Sequence, residues 1–198
     1  MSFTGEYKGK LVTIASHGVG GAGASICFEE LIQGGVKTII RAGTCGAMMK
    51  CIQDGDLIIG TGAIREDGTS DKLIPMEYPA ISDRHVVSAL VSAASAQEDS
   101  QIHEGIILTQ GYFYPGTLNP TQQYWIRSKS NVAAVEMELA TLLIIASIHG
   151  VRAGGIFTSD GNMTVEDDMN EYDPHRDVVR EGVQSMIRVA LEALTLLD

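Results

Sequence analysis

The chain has 198 residues, 44% hydrophobic and 20% charged, which is enough for one globular domain with a substantial core. Its formal charge of −11 argues against a general nucleic-acid surface, which needs a basic face, but leaves room for a small anion on one or two buried arginines. No apolar run reaches the roughly 18 residues of a membrane span, Met1 to Lys10 lacks a signal-peptide core, and Cys27, Cys45 and Cys51, without metal-ligand spacing, imply reduced thiols in a cytoplasmic protein.

Phe3 to Lys10 reads as an edge strand and turn, and Leu11-Val12-Thr13-Ile14-Ala15 as a buried strand. Ser16-His17-Gly18-Val19-Gly20-Gly21-Ala22-Gly23 follows, then an amphipathic helix from Ala24 to Gln33 closed by Gly34-Gly35. Strand, glycine loop and helix in that order can aim backbone N–H groups and a helix N-terminus at an anion; a tight turn without a ligand fits the same residues. Gly18, Gly20 and Gly23 have dinucleotide-fingerprint spacing, but no acidic residue ends the next strand to hold a cofactor ribose. That strand, Val36 to Ala42, ends in Arg41-Ala42-Gly43-Thr44-Cys45-Gly46. An arginine in so apolar a run needs a partner. The partner is a salt bridge, or an oxyanion held bidentately with the Thr44 hydroxyl and loop N–H groups as further donors.

Asp56 to Ile64 is another strand, Arg65 to Asp71 a polar excursion, and Pro75-Met76-Glu77-Tyr78-Pro79 a rigid loop. Ser82 or Asp83 caps a helix reaching about Gln97. His103 to Thr109 is a strand leading into Gln110-Gly111-Tyr112-Phe113-Tyr114-Pro115-Gly116, whose aromatics suit either the core or a stacking platform for a planar ring.

Ala133-Ala134-Val135-Glu136-Met137-Glu138-Leu139-Ala140 delivers two carboxylates around a methionine where a strand passes into a helix, which ends at His149 with Gly150 after it. Alternation puts Glu136 and Glu138 on one side of an extended chain. A carboxylate buried there needs donors, and vicinal sugar hydroxyls have the right spacing. Glu138 fits equally as an acidic residue favoured by the dipole in a first helical turn. Arg152 to Thr158 is the last strand, ending Ser159-Asp160-Gly161-Asn162-Met163, and an acidic loop (Glu166, Asp167, Asp168, Glu171) is long enough for a mobile lid. Asp173 caps and Pro174 starts a terminal helix with the stripe Val178, Val179, Val183, Met186, Ile187, Ala190, Leu191 and Leu194. The alternation of strands and helices predicts an α/β fold, one domain over residues 1–198, with a mainly parallel or mixed central sheet flanked by helices. The site belongs at the strand C-terminal ends.

The opening Phe3-Thr4-Gly5-Glu6-Tyr7-Lys8-Gly9-Lys10, then Ser16 to Gly20, Ile40 to Gly46, Val135 to Glu138 and Ser159-Asp160-Gly161, stand in the order of the purine nucleoside/uridine phosphorylase family. The chain resembles that family over essentially its whole length, most closely the hexameric purine nucleoside phosphorylases, protozoan members included. Arg65-Glu66-Asp67-Gly68 and Phe113-Tyr114-Pro115-Gly116 resemble uridine phosphorylases.

The resemblance implies that Arg41, Gly43 and Thr44 hold phosphate, and that Val19, Met137 and Glu138, with Glu136 beside them, hold ribose. It implies a base against Cys45, Gly46, Phe113 and Val135, with Asp160 as the acid. No metal or organic cofactor is implied; inorganic phosphate is the co-substrate. The expected reaction is phosphorolysis of inosine or guanosine to base and ribose 1-phosphate in purine salvage. The expected partners are nucleoside and phosphate, with neither nucleic acid nor membrane, and a homo-oligomer is implied, a dimer or a hexamer built as a trimer of dimers.

Uridine phosphorylases carry a glutamine and an arginine where this chain has Thr117 and Asn119, with Gln122, Gln123 and Arg127 nearest, and they lack a carboxylate at the position of Asp160. The alternatives are a uridine phosphorylase, a water-using nucleosidase (which the buried Arg41 argues against), and a non-catalytic nucleoside-binding or structural relative. This last is suggested by the family's further residues before the first one here, about 40 to 50 against a usual single-domain size. Those residues carry a first strand, a Gly-Asp-Pro-x-Arg phosphate loop, and a histidine and an arginine that reach a neighbour's site, so the domain is expected to be N-terminally incomplete relative to the family.

Overall fold

A computed structural model describes residues 1–97, 101–114, 121–164 and 172–197. Pro115, Gly116, Thr117, Asn119 and the acidic loop with Glu166, Asp167, Asp168 and Glu171 lie outside the described residues. β1 (Ser2–Tyr7) and β2 (Lys10–Ala15) pair antiparallel as a two-stranded sheet of their own. The expectation of a buried strand over Leu11–Ala15 is corrected here, since Leu11 is 80% exposed and Ile14 59%. An apolar run is buried only when something covers it, and the side-chain hydrogen bonds that tie this ribbon to the rest lie at its Tyr7–Lys10 end. There the Tyr7 hydroxyl and the Lys8 ammonium both donate to Glu192 at 2.6 Å, and Lys10 donates to the Leu197 carbonyl.

Among the described residues, six further strands form one mixed sheet: β3 (Thr38–Ala47), β4 (Leu57–Glu66), β5 (Ala80–Ile81), β6 (Ile102–Gln110), β7 (Val132–Glu136) and β8 (Arg152–Asn162). β4–β6, β6–β7 and β3–β8 run parallel, while β3–β7, β4–β5 and β4–β8 run antiparallel. Because β8 pairs with both β3 and β4, the strands β4, β6, β7, β3 and β8 close into a ring. The expected α/β class with a mixed sheet holds. Register shifts between Cys45 and Gly46 and between Gly60 and Gly62 bend the strands that close it. Gly60 and Gly155 face each other across β4 and β8, and a Cβ on either would lie 2.8 Å from a Leu139 methyl, so both stay bare to admit that side chain.

β3 and β8 run further than expected. Gly43 to Gly46 and Ser159 to Asn162, read as loops from their glycines and polar residues, continue the parallel ladder, with Thr44 opposite Thr158 and Cys45 opposite Ser159. Arg41, Thr44 and Asp160 therefore sit on adjacent strands, with Arg41 opposite Gly155, Thr44 opposite Thr158, and Asp160 at the register shift between Ser159 and Gly161.

Among the described residues, six helices accompany the sheet: α1 (Gly21–Gln33), α2 (Ser70–Leu73), α3 (Arg84–Ser95), α4 (Thr121–Arg127), α5 (Leu139–His149) and α6 (Asp177–Leu196). Asp83 caps α3 as expected, accepting from the N–H groups of His85 at 2.9 Å and Val86 at 3.1 Å. α5 is apolar on every side and is buried from Leu139 through Ala146, because it lies between the sheet and α1. It ends on Gly150 in the left-handed conformation, φ 66°. The terminal helix departs from its expected cap. Asp173 heads a turn, accepting from the His175 N–H at 2.9 Å, and α6 begins only at Asp177. Its buried face is Val179, Gly182, Ser185, Met186, Val189 and Ala193, narrower than the expected stripe, with Val178 and Ile187 on the exposed side.

Leu139 fills the space that the paired glycines leave, so Leu139→Ala should open a cavity and cost about 3 kcal/mol of stability in urea unfolding. A loss below about 1 kcal/mol would mean that the ring is not packed around this side chain.

Candidate active site

The glycine loop before α1, the C-terminal ends of β3, β7 and β8, and the segment after β6 surround a cavity of about 1240 Å³. A single small ligand usually occupies roughly 300–1,000 Å³, so two reactants can fit. Val19, Arg41, Thr44, Cys45, Gly46, Phe113, Val135, Glu136, Met137, Glu138 and Asp160 all line it. Gly43 does not; it lies beneath Arg41. A Cβ there would stand 2.8 Å from Nη1 and 3.2 Å from Cζ, so the bare backbone lets the guanidinium fold over its own strand.

Arg41 and Arg65 are both buried, at 8% and 6% exposure, and they are used differently. Arg65 spends its guanidinium on structure, donating to the Ser70 hydroxyl and to the carbonyls of Ser70, Ile74, Pro75 and Tyr78 at 2.6–3.1 Å. It pins the loop expected to be rigid. Arg41 donates through Nη2 to Glu138 Oε2, and its Nη1 lies 3.3 Å from Glu136 Oε2. Its Cζ lies 5.0 Å from the Phe157 ring centroid. Its Nε and Nη1 find no hydrogen-bond partner among the described residues. A buried guanidinium with unsatisfied donors carries a desolvation cost that an oxyanion would relieve.

The two carboxylates divide their tasks. Glu136 Oε1 accepts from the Thr109 hydroxyl at 2.7 Å, its Oε2 accepts from the Glu138 N–H at 2.8 Å, and the Leu139 N–H is shared at 3.0–3.1 Å. It thus satisfies the first amides of α5. Burial raises its pKa, while Arg41, the Glu138 N–H and Thr109 work to lower it. Glu138 stands at the cap position of the same helix, yet its side chain makes no capping bond. It turns away, to Arg41 and to the Gly20 N–H at 2.5 Å. Gly20 can present that N–H because it holds φ at 84°, a conformation costly for other residues. The glycine loop does aim a backbone donor at an anion, the Gly20 N–H, and the anion is the Glu138 carboxylate.

At the far side, Asp160 is held by hydroxyls. Tyr172 donates to its Oδ2 at 2.8 Å, and the neighbouring Thr44 hydroxyl favours its charged form. Burial raises the Asp160 pKa, and these hydrogen bonds oppose the rise. Arg176 donates to the Asp160 carbonyl at 3.3 Å and pairs with Asp54 at 2.8 Å. Phe113 stands 5.0 Å from Tyr114 edge-on and 6.1 Å from Tyr172, an aromatic wall at the mouth of the cavity and not part of the core. The Cys45 thiol is buried, donates to the Thr158 carbonyl at 3.7 Å, and is kept protonated by burial.

Sequence reading passed over several residues that line the cavity, His17, Asp54, Tyr172 and Arg176 among them. His17 stood inside the glycine motif, where a histidine at a strand end is itself a signal. Burial and the nearby Arg41 lower its pKa, leaving a neutral ring whose Nδ1 has no partner among the described residues. Tyr172, Arg176 and Asp54 had no such signal, because only the fold brings them to the end of β8. Arg41, Lys50, Arg127 and Arg176 balance Asp54, Glu136, Glu138 and Asp160 around the cavity. In a chain of charge −11, this is a region that an anion can enter without facing net repulsion.

The family model of the phosphorylase superfamily matches residues 2–195. The chain is 40% identical over 189 residues to a purine nucleoside phosphorylase of Plasmodium vivax, covering 94% of this chain and 74% of that one. It is 38% identical over 197 residues to a guanosine phosphorylase of Halorubrum lacusprofundi, covering 97% and 79%. Proteins named uridine phosphorylase match at 32–36% identity. Among solved structures, the purine nucleoside phosphorylase of Toxoplasma gondii in complex with immucillin-H superposes with a TM-score of 0.89 at 32% identity, covering 97% of this chain and 76% of that one. In fold, in the order of its motifs and in sequence over nearly its whole length, the chain belongs to the phosphorylase superfamily, among the purine nucleoside and uridine phosphorylases.

Proposed function

We propose that the protein cleaves purine ribonucleosides, inosine and guanosine above all, with inorganic phosphate as co-substrate, giving free base and ribose 1-phosphate. The observation that carries this reading is Arg41, a buried guanidinium with unpartnered donors beside the Glu138 carboxylate. A water nucleophile would have no use for it. Phosphate takes the donors of Arg41 and the Thr44 hydroxyl. The ribose 2′- and 3′-hydroxyls donate to Glu138 over Met137, with Val19 against the sugar, and the base lies along Phe113 and Val135 near Cys45 and Gly46. A phosphate oxygen then bonds to C1′ as the glycosidic electron pair leaves with the base, and Asp160 gives a proton to the purine N7. Positioning and a tuned acid supply the catalysis; no metal or organic cofactor is required. Higher identity to relatives named for purines and guanosine than to those named for uridine supports the choice of base. The direct test is base release from inosine and uridine with and without phosphate. Phosphate-dependent release from inosine is expected, and release independent of phosphate would overturn the reading.

Gly43→Ala should push the Arg41 guanidinium from its place and raise the KM for phosphate about tenfold, equivalent to about 1.4 kcal/mol, with a smaller change in the KM for inosine. An unchanged phosphate KM would remove Gly43 from this role.

Asp160→Asn should cut inosine cleavage by about two orders of magnitude, the scale of a lost general acid, and residual uridine cleavage far less. Asp160 acts in its protonated form, and burial keeps that form to higher pH than for an ordinary aspartate. Inosine cleavage by the parent should therefore fall as pH rises through the Asp160 pKa, and that limb should vanish in the variant. Normal inosine cleavage by Asp160→Asn would refute the purine assignment.

We further propose that the protein works as a homo-oligomer, a dimer or a larger assembly of dimers, in the cytoplasm. The exposed apolar residues of the β1–β2 ribbon, Phe3, Leu11 and Ile14, support association, and three unpaired thiols fit a reducing compartment. Sedimentation at micromolar concentration should give at least twice the 21.2 kDa of one chain; a clean monomer would refute association.

A further inference from the structure

We propose that Tyr172 is a positioning residue for Asp160, fixing the carboxyl group for proton transfer to the purine and setting the pH at which that transfer fails. The inference rests on the phosphorolytic reading above. The Tyr172 hydroxyl donates to Asp160 Oδ2 at 2.8 Å. Its ring lies along the backbone of Gly161, where a Cβ would meet ring carbons at 3.5–3.6 Å, and faces Phe113 at 6.1 Å. The side chain thus bridges the acid at the end of β8 and the aromatic wall beyond β6. A carboxyl group anchored by one oxygen cannot rotate freely, so its proton leaves from a fixed position.

The groups facing Asp160 give Tyr172 a distinct part. From β3 come the Thr44 hydroxyl and the protonated Cys45 thiol. From the segment before β4 comes the Asp54 carboxylate, whose charge Arg176 takes up, while Arg176 meets only the Asp160 main-chain oxygen. Tyr172 therefore gives the carboxylate a direct hydrogen bond, with the Thr44 hydroxyl and the Asp160 N–H also favouring its charged form. Burial and the Asp160 charge hold the Tyr172 proton firmly, so the phenol donates throughout the working range. As the proton passes from Asp160 to N7, with the glycosidic pair moving to the base and a phosphate oxygen bonding to C1′, Asp160 becomes a carboxylate. A hydrogen bond to the charged form is the stronger one, so Tyr172 favours the transfer.

Tyr172→Phe keeps the ring and removes the donor. In the variant, the alkaline limb of kcat/KM for inosine should move up by about half a pH unit or more, since a lost donor to the carboxylate raises its pKa. The kcat at the optimum should fall about tenfold, the scale of losing one hydrogen bond. Carbon-13 NMR titration of the labelled Asp160 carboxyl should show the same upward move and needs no turnover. A limb and an NMR midpoint both at the parent's pH would overturn the inference, whatever the change in rate or melting temperature. Asp160→Asn separates the two levels. If that variant is impaired on inosine while Tyr172→Phe leaves the titration unmoved, the role of Tyr172 alone fails; if Asp160→Asn cleaves inosine like the parent, the reading beneath it fails.

Discussion

The burial of one guanidinium between two carboxylates constrains most of what lies around it. Arg41, Glu136 and Glu138 are each nearly removed from water, and charges so placed are tolerated only when hydrogen bonds and opposite charges surround them. Glu136 meets that demand with the first amides of α5 and the Thr109 hydroxyl, which locks the strand-to-helix passage to the neighbouring strand. Glu138 meets it with the Gly20 amide and Arg41, which ties the glycine loop to the same point. Four segments distant in sequence converge because none of these groups can be left alone. The cluster keeps one charge more negative than positive, and the Nε and Nη1 of Arg41 have no hydrogen-bond partner among the described residues.

Ring closure makes that convergence possible. In an open sheet the ends of β3 and β8 would fan apart with the strand twist. Here β8 is paired on both edges, by β3 and by β4, so Thr44 and Asp160 are carried on strands whose positions are fixed from two sides. The cost is space inside the ring, met by leaving Gly60 and Gly155 without side chains where Leu139 enters. The residue after Glu138 is therefore a core plug, and packing at Leu139 bears directly on where the Glu138 carboxylate points.

The two ends of the cavity differ in character. The Arg41 end is ionic, short of acceptors and shielded by the Phe157 ring. The Asp160 end is a carboxyl group held by neutral hydroxyls beside exposed aromatic rings. A reaction that brings a phosphate anion to one end and leaves a protonated planar base at the other matches this polarity. Lys50, Arg127 and Arg176 at the rim offset the acidic surface that an entering anion would otherwise meet.

The strand and helix order, the mixed α/β class and the caps at Asp83 and Gly150 could be read from the chain, because each leaves a local mark: alternation, a helical period, a capping residue, or a charge where charge is costly. Most of the eleven residues of the cavity wall were instead implied by the resemblance of the motifs to the phosphorylase family. Glu138 and Arg41 stood out for that last reason. What local marks cannot record is which edges meet, and closure of the ring is an edge property. Glycine and polar residues at Gly43–Gly46 and Ser159–Asn162 looked like loops although a parallel ladder continues through them. Leu11 and Ile14 looked buried because apolarity says what a residue favours and not what lies over it. Glu136 and Glu138 shared a predicted side, yet the turn into α5 sent one to cap the helix and the other into the cavity. Whether Arg41 was paired or poised for an oxyanion was open in one dimension. That it is paired, with Nε and Nη1 left without a hydrogen-bond partner among the described residues, depends on distances among four chain segments, and so does the presence of Tyr172 beside Asp160, twelve residues along a chain that only tertiary packing folds back.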